Sequence, residues 1–266
     1  MLRAGYRGDW PARAWARVPG SCDVERTDVA VTMLAGASAP LRIGFVSDVH
    51  IGPTTPPRLL HRAFDELARA RPDLLLLGGD YVFLDADEAR ARTLSDLVRS
   101  VPCARKLAVL GNHDLWTRHG LLERALERAG VEVLVNRSTA VGAGALHVVG
   151  LDDPWTGTPD VRAAFEEAHD ARALVVLCHS PDGLPLIARD SGPPRPTLFV
   201  CGHTHGGHIA TPWGPIVHAG AACSRKYSRG RHRVDGVDLY VSRGVGGIEL
   251  PVRTFARPEI VVFSVT

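Results

Sequence analysis

Short apolar runs alternate along the chain with segments in which apolar residues recur at helical spacing. The continuous apolar runs predict buried strands at residues 41–47, 73–77, 106–110, 131–135, 144–150, 173–178 and 197–201. Helical spacing predicts helices at residues 57–70, 86–100, 120–129 and 159–169. This alternation of strands and helices is typical of βαβ units.

The last quarter of the chain has a different pattern. Residues 216–218, 237–242 and 259–265 are predicted strands joined by Gly- and Arg-rich loops, and no helical spacing follows Arg189. The combination predicts two packed β-sheets with helices outside them. Because no repeat and no long linker interrupts the pattern, we expect one domain over residues 1–266.

Composition excludes several classes of protein. The 266 residues are 45% hydrophobic and 23% charged, as in ordinary globular domains. Because 31 basic residues oppose 29 acidic ones, the net charge of +2 gives no reason to expect nucleic acid as a partner. The five cysteines form no C-x-x-C pair, which favours a reducing compartment. With no apolar run of about 20 residues and no signal sequence, we expect a cytoplasmic location.

The amino-terminal segment leaves a peripheral membrane contact open. Its arginines and aromatic residues are Arg3, Tyr6, Arg7, Trp10, Arg13, Trp15 and Arg17. Arginines beside interfacial aromatics can touch a membrane surface. Since Gly5, Gly8 and Pro11 disfavour a regular helix, residues 1–25 are expected to form a loosely ordered basic and aromatic tail.

Five predicted strands end in the same way. Each apolar run stops near a small residue and is followed by Asp, Asn or His: Asp48-Val49-His50, Gly79-Asp80, Gly111-Asn112-His113-Asp114, His179 and Gly202-His203-Thr204-His205. Ligands of α/β sheets bind at the carboxyl ends of the strands. Oxygen and nitrogen donors without a thiolate favour hard to borderline metal ions. This set is too large for one tetrahedral ion and suits two ions, about 3.5–4 Å apart, that share a carboxylate.

The five motifs, in this order, resemble those of the calcineurin-like metallophosphoesterase superfamily. The flanking sequence is similar to the bacterial branch of YkuE- and YaeI-like phosphodiesterases. The stretches that carry this second similarity are Gly78-Gly79-Asp80-Tyr81, Cys178-His179-Ser180-Pro181-Asp182, Gly206-Gly207, Tyr227-Ser228-Arg229-Gly230 and Val241-Ser242-Arg243-Gly244. The resemblance implies an α/β (α+β) fold, a four-layer αββα sandwich of two mixed β-sheets with a dinuclear metal site at the strand ends.

The resemblance also implies a role for each motif residue. Asp48, His50 and His205 would hold one divalent ion; Asn112, His179 and His203 would hold the second. Asp80 would bridge both ions, whose identity among Mn, Fe, Zn, Ni and Co stays open. His113 would protonate the leaving group or stabilise the phosphoryl oxygens, and Asp114 would orient His113.

Three further features point towards the substrate. His208 follows the Gly202–Gly207 motif where this branch commonly has Gln, so an imidazole there could hydrogen-bond near the metals or compete as a ligand. Arg225, Lys226, Arg229, Arg231 and Arg233 form either a solvated loop or a basic lip that attracts a phosphorylated substrate, with Arg229 as the residue to test. Asp152 and Asp153 are expected in a solvated turn rather than in contact with substrate.

The implied activity is hydrolysis of a phosphodiester or pyrophosphate bond by a metal-activated hydroxide. A lipid-linked substrate such as a diacylated UDP-sugar is one option. A soluble nucleotide or phosphomonoester is the alternative, which an apolar groove beside the metals would disfavour. A non-catalytic scaffold on the same fold is the third hypothesis, and the presence of every motif residue argues against it.

Overall fold

The first β-sheet contains six strands in the order β1-β14-β2-β3-β4-β5. Their bounds are Glu25–Val31 (β1), Leu41–Val46 (β2), Leu74–Leu77 (β3), Arg105–Ala108 (β4), Val131–Val133 (β5) and Glu259–Val265 (β14). Strands β2 to β5 are parallel, whereas β14 is antiparallel to β2 and parallel to β1. The sheet is therefore mixed, and its parallel part brings the carboxyl ends of β2, β3 and β4 to one edge.

The second sheet also has six strands, in the order β12-β13-β9-β8-β7-β6. Their bounds are Arg137–Val141 (β6), Leu146–Gly150 (β7), Leu174–Leu177 (β8), Leu198–Cys201 (β9), Gly230–Val234 (β12) and Val237–Val241 (β13). Strands β7, β8, β9 and β13 are parallel, and β6 and β12 are antiparallel to their neighbours. A separate two-stranded hairpin joins Ala210–Thr211 (β10) to Gly214–Pro215 (β11).

Helices cover the outer face of each sheet. Their bounds are Trp10–Ala16 (α1), Pro57–Ala70 (α2), Glu88–Arg99 (α3), Asn112–Leu115 (α4), His119–Arg128 (α5), Val161–Phe165 (α6), Leu184–Arg189 (α7) and Ala222–Lys226 (α8). Short 3-10 turns lie at Arg7–Asp9, Glu166–Ala168, Pro181–Gly183 and His205–Gly207.

Three apolar cores result because successive strand side chains point to opposite faces. Leu76 of β3 and Val175 of β8 lie in the core between the two sheets. Leu75 points the other way and packs in the core that contains Leu67 of α2. Val176 of β8 faces the helices of the second sheet. The protein is thus the four-layer αββα sandwich that the resemblance implied.

This computed structural model describes residues 5–33, 40–142, 146–190, 192–218, 220–250 and 252–266. Arg3 and the first two residues of the strand predicted at 144–150 lie outside the described residues. The helix predicted at 57–70 and the strand predicted at 259–265 coincide with α2 and β14. Within the described residues, no helix combines the length and the apolar character needed to cross a bilayer.

Two expectations for the last quarter are wrong. Residues 216–218 are not a strand, since the amides of Ile216 and Val217 both turn back to the carbonyl of Ile209. A short helix, α8, does follow Arg189. It forms without helical spacing of apolar residues, since a carboxylate distant in the sequence caps it: Asp182 accepts the N–H groups of Ala221, Cys223 and Ser224.

The amino-terminal segment differs from the loosely ordered tail expected from its glycines. Pro11 lies in the first turn of α1, where its missing N–H is tolerated. The side chain of Trp15 is only 2% exposed and packs in the core of the first sheet. The N–H of Ala12 donates to the carbonyl of Pro53, and a Cβ atom on Gly247 would lie 2.8 Å from the Cζ3 atom of Trp15. One of the aromatics assigned to a membrane contact is therefore part of the interior.

Candidate metal centre

The motif residues meet where the carboxyl ends of the two sheets adjoin. Asp48 and His50 follow β2, Asp80 follows β3, and Asn112 follows β4 at the start of α4. His179 follows β8, and His203 and His205 follow β9. The sheets are joined there by the N–H of His203, which donates to both carboxylate oxygens of Asp48 at 3.1 Å.

The backbone turns sharply at most of these positions. Five of the seven predicted ligands have left-handed conformations: Asp48 (φ 53°), His50 (φ 46°), Asp80 (φ 56°), His203 (φ 68°) and His205 (φ 53°). Such a conformation costs a non-glycine residue of order 1–3 kcal/mol and persists where surrounding contacts enforce it. Its repetition at five ligand positions indicates a site whose geometry matters more than local stability.

Glycine makes the close approach of these turns possible. A Cβ atom on Gly202 would lie 2.2 Å from the Oδ2 atom of Asp48, and one on Gly111 would lie 2.3 Å from the Oδ1 atom of Asp80. Any larger residue would displace a carboxylate. Gly202 and Gly111 therefore give the carboxylates of Asp48 and Asp80 room to face the centre.

The first donor group consists of Asp48, His50 and His205. Their ligand atoms lie within 4.8 Å of one another. The Nε2 atoms of His50 and His205 are 3.2 Å apart, and the Nε2 atom of His205 is 3.5 Å from the Oδ1 atom of Asp48. The Nδ1 atom of His50 lies 3.3 Å from the carbonyl oxygen of Val82, which fixes the ring with Nε2 towards the centre.

The second donor group consists of Asp80, His179 and His203, with Asn112 beside them. The Nδ1 atom of His203 is 3.0 Å from the Oδ1 atom of Asn112 and 3.3 Å from the Nε2 atom of His179. The Nδ1 atom of His179 lies 2.8 Å from the carbonyl of Gly78, so its Nε2 atom faces inward. Both groups thus present nitrogen and oxygen donors to a small common volume.

Asp80 lies between the two groups. Its Oδ2 atom is 3.5 Å from the Nε2 atom of His50 and 3.2 Å from the Nε2 atom of His179. One carboxylate oxygen therefore contacts a member of each donor group. This is the arrangement predicted for a bridging ligand.

Burial keeps three of the histidines neutral. It lowers the pKa of His50 and of His205 well below the usual value, and it lowers the pKa of His203 to about 3. A neutral imidazole is the form that binds a metal ion. These three rings can therefore bind a metal ion without first losing a proton.

The charges of Asp80 and His179 stabilise each other. Burial alone would raise the pKa of Asp80 and lower that of His179, but their mutual attraction reverses both effects. Burial also raises the pKa of Asp48 to about 6. Buried carboxylates and imidazoles that need positive charge for balance fit a divalent cation. The donor chemistry therefore fits the metal ions that the resemblance implies.

His113 lies at the rim of the first group and is half-buried. Its ring centroid is 4.9 Å from that of His50 and 4.9 Å from that of Trp116. Its backbone N–H donates to the Oδ1 atom of Asp80 at 2.8 Å. The imidazole thus adjoins the centre and stays accessible to a substrate.

Asp114 does not orient His113. Its carboxylate is fully buried and accepts backbone N–H groups from Asp80 (2.8 Å), Tyr81 (2.8 Å) and Gly111 (3.0 Å). The predicted contact is wrong because α4 directs the side chain of Asp114 under the turn that follows β3. Burial, with the charge of Asp80, raises the pKa of Asp114 to about 7. Asp114 therefore holds the backbone at Asp80, the residue predicted to bridge the two ions.

His208, one of the two residues predicted to bind substrate, has its ring centroid 5.7 Å from that of His205. The Nε2 atom of His208 lies 2.8 Å from the carbonyl of Leu250, and the side chain is almost wholly buried. The Nη1 atom of Arg229 donates to the carbonyl of Phe255 at 2.7 Å. Neither side chain belongs to a donor group. Their contact with a substrate stays a prediction.

Part of the predicted basic lip, residues 225–233, is paired with an acidic residue. Asp238, in the next strand, pairs with Arg231 at 2.9 Å and with Arg233 at 3.2 Å. Arg225 and Lys226 are exposed on α8. Residues 225–233 themselves contain no acidic residue. Only the pairing of β12 with β13 therefore reveals that Asp238 lies beside Arg231 and Arg233.

Sequence reasoning missed Arg253. One of its guanidinium nitrogens, Nη2, lies 2.8 Å from the Nδ1 atom of His205. The same side chain donates to the carbonyls of Gly246 and Arg243, each at 2.6 Å. It therefore ties a ligand of the first group to the loops near the carboxyl terminus. No motif marks it, because its partners are mostly backbone carbonyls.

The turn that contains Asp153 was also misjudged, since it is buried rather than solvated. The Oδ2 atom of Asp153 accepts the N–H groups of Trp155 (3.0 Å) and Thr156 (2.8 Å). This holds the indole ring of Trp155 5.0 Å from the ring of His203. The turn thus places an aromatic side chain at the rim of the second donor group.

Fold and site define a metal-dependent phosphoesterase, and the chain belongs to the calcineurin-like phosphoesterase family, whose model matches residues 41–207. It is 31% identical to the phosphodiesterase YaeI of Escherichia coli, over 85% of this chain and 83% of that protein. It is 27% identical to the metallophosphoesterase YkuE of Bacillus subtilis, over 82% of this chain and 76% of that protein. It is 24% identical to the UDP-2,3-diacylglucosamine pyrophosphatase LpxG of Chlamydia trachomatis, over 83% of this chain and 82% of that protein.

Proposed function

We propose that the protein hydrolyses a phosphodiester or pyrophosphate bond at a centre of two divalent cations. The observation that carries this proposal is the position of Asp80, whose Oδ2 atom contacts both His50 and His179. Asp48, His50 and His205 would hold one cation, and Asn112, His179 and His203 the other. When bound, the pair would acidify a water molecule and neutralise the charge of the phosphate.

The surrounding residues would position the substrate and move the proton. His113 would donate a proton to the leaving oxygen, since its ring borders the first donor group and is accessible from outside. Trp116 and Trp155, both exposed, flank His113 and His203 respectively. Aromatic walls on two sides would bind an apolar or planar part of the substrate next to its phosphate.

The first test is hydrolysis of bis-p-nitrophenyl phosphate by purified protein that has been chelated and then supplied with Mn²⁺. We expect metal-dependent turnover that His113→Ala abolishes, because the leaving group loses its proton donor. His119→Ala is the matched control, since His119 is exposed at the start of α5. Two bound metal ions without any turnover would overturn the proposal and favour a scaffold. Turnover of phosphomonoesters alone would favour the soluble phosphohydrolase.

We further propose that the substrate is lipid-linked. LpxG, by its name, acts on a diacylated nucleotide sugar, and the two exposed tryptophans at the rim suit an acyl chain. The test compares UDP-2,3-diacylglucosamine with UDP-glucosamine, which has the same pyrophosphate without acyl chains. We expect a kcat/KM at least about tenfold higher for the diacylated compound, since several buried methylene groups contribute. Equal values would exclude lipid recognition and leave phosphohydrolysis standing.

We also propose a cytoplasmic location. All five cysteines are free, including Cys178 and Cys201, which are buried beside the site. Free thiols are stable where the compartment is reducing. Fractionation of cells that express the tagged protein tests this, and recovery in an extracytoplasmic fraction would contradict it.

A further inference from the structure

Exposed apolar side chains concentrate on two segments that follow the metal motifs. Among the described residues, eleven large apolar side chains are exposed, and six of them lie on these segments. We call these six the docking patch: Trp213 (92% exposed), Ile216 (62%), Val217 (50%), Leu250 (52%), Val252 (38%) and Phe255 (63%). Most apolar side chains exposed on a monomer occur singly, so a cluster of this kind marks an interaction surface.

Backbone hydrogen bonds join the two segments into one surface. Ile209 and Thr254 form a parallel bridge. The N–H of Ala210 donates to the carbonyl of Thr254 at 2.9 Å, and the N–H of Thr254 donates to the carbonyl of His208 at 3.1 Å. The hairpin of β10 and β11 presents Trp213 at its tip. The members of the docking patch are therefore carried by one hydrogen-bonded unit.

The exposure does not arise from poor folding of these segments. His208, Ala210 and Ala256, which lie on the same segments, are almost wholly buried. The hydroxyl of Thr211 donates to the carbonyl of Gly214 within the hairpin at 3.0 Å. The segments are thus anchored by buried residues while their large apolar side chains face solvent.

The hairpin side of the docking patch has basic and no acidic neighbours in the sequence, whereas the exposed Glu249 precedes Leu250 on the other segment. The sequence contains neither Asp nor Glu from residue 191 to residue 234. Arg225 and Lys226 are exposed on α8, and Arg229 is bonded to the carbonyl of Phe255, a member of the patch. The hairpin side of the patch therefore combines apolar side chains, including an almost fully exposed tryptophan, with basic residues nearby in the sequence.

We propose that the docking patch binds the surface of an anionic phospholipid bilayer. Tryptophan favours the interface between water and acyl chains, and apolar side chains gain free energy by entering it. Each nearby Lys or Arg adds about 1 kcal/mol on an anionic surface. A second copy of the chain fits less well, since two copies related by a twofold axis would bring the same cationic residues together.

The docked orientation brings the metal centre close to the lipid. The segment that carries Trp213 begins directly after His205, and Arg253 joins the other segment to the same histidine. His208 links the two through the carbonyl of Leu250 at 2.8 Å. Docking itself does not depend on which bond is hydrolysed. The idea that docking helps the centre to reach a lipid-linked substrate rests on the proposed function.

Co-sedimentation with vesicles tests the proposal. Vesicles of phosphatidylcholine are compared with vesicles that also contain phosphatidylglycerol. We expect the wild-type protein to bind the anionic vesicles. The double variant Trp213→Asp/Ile216→Asp should bind them at least about tenfold more weakly, because two apolar anchors are lost and two negative charges are added. Hydrolysis of bis-p-nitrophenyl phosphate should be unchanged in this variant, which separates docking from catalysis.

The matched control lies on the amino-terminal segment. Trp10 and Val18 are also exposed, at 53% and 50%, and belong to the segment that the sequence suggested as a membrane contact. Trp10→Asp/Val18→Asp should leave vesicle binding unchanged. Loss of binding in this control alone, or no binding by the wild-type protein, would overturn the proposal. Self-association that disappears in Trp213→Asp/Ile216→Asp, without any vesicle binding, would instead identify a dimer interface.

A second pair of variants separates the charge from the apolar contact. Arg225→Gln/Lys226→Gln should weaken binding to anionic vesicles several-fold, since each cation contributes about 1 kcal/mol there. Binding to phosphatidylcholine vesicles should not change. Equal affinity of this variant and the wild-type protein for anionic vesicles would contradict the electrostatic part of the proposal.

Discussion

The metal centre lies at the carboxyl ends of five strands, and the docking patch lies on loops that follow its last donor, His205. In the centre, polar and charged groups are buried, and each contacts a partner from another element. In the docking patch, apolar groups are exposed and the partners within the chain are few. In the centre, folding brings polar donors together, which costs free energy. In the patch, apolar side chains stay exposed, and their burial against a partner would be favourable. The comparison suggests two separate roles: the metal centre carries out the reaction, and the docking patch determines where the protein binds.

The largest effect is expected from Asp80→Asn, because this residue serves both donor groups. An amide cannot supply the negative charge that the two groups share, so both cations should be lost. Since removal of an outer partner of a metal ligand already costs 10–100-fold, we expect a fall in kcat/KM of more than about a hundredfold. Metal content by mass spectrometry and turnover measure this. Asp96→Asn, at an exposed position of α3, is the control.

Asp114→Asn tests how the centre is held together. Because Asp114 accepts the N–H groups of Asp80, Tyr81 and Gly111, its loss should lower metal affinity about 10–100-fold. The basic limb of the pH–rate profile, which reports the general acid, should stay in place. If the basic limb moves to a different pH while the metal affinity is unchanged, the prediction that Asp114 orients His113 would be supported instead.

The buried charges of the centre predict that metal affinity increases with pH. The pKa of His179 is raised in the folded apoprotein, so a cation must displace its proton. Below pH 6, Asp48, with its raised pKa of about 6, must also lose a proton. We therefore expect affinity to fall by about tenfold or more for each pH unit below 6. Calorimetry in two buffers of different ionisation enthalpy should detect proton release, and an affinity independent of pH would contradict the assigned charge states.

The smallest effect is expected from Arg253→Lys, which tests the link between the two regions. An ammonium group keeps the charge but cannot reach the carbonyls of Gly246 and Arg243 together with His205. We expect the melting temperature to fall by an amount that corresponds to about 1–3 kcal/mol, and turnover to fall several-fold. Arg257→Lys, at an exposed position nearby, should change neither. An unchanged melting temperature would show that the regions are not coupled through this residue.

Much of the centre could be predicted because its residues follow strands. Apolar runs such as 73–77 and 173–178 give the strands, and the parallel arrangement brings their ends together. The structure brings Asp48 together with His50 and His205, and His179 together with His203. The role of Asp114 could not be predicted, because it depends on which backbone N–H groups lie above α4.

Elements without a continuous apolar run escaped prediction. Strand β1 contains Glu25, Arg26 and Asp28 and exposes most of its residues, since it lies at the edge of its sheet. Strand β12 alternates Arg and His at another edge. An edge strand needs only one buried face and one partner, so its sequence resembles that of a loop.

The sequence by itself determined two packed sheets with outer helices, the family and the types of donor residue, because strand periodicity and sequence motifs are local properties of the chain. Only the tertiary structure decided which partner each polar group has. Asp238 neutralises Arg231 and Arg233, Trp15 is drawn into the core, and Arg253 contacts His205. Only the tertiary structure also decided that Trp213 and Phe255, on segments joined by backbone hydrogen bonds, are exposed, because burial is set by elements distant in the sequence.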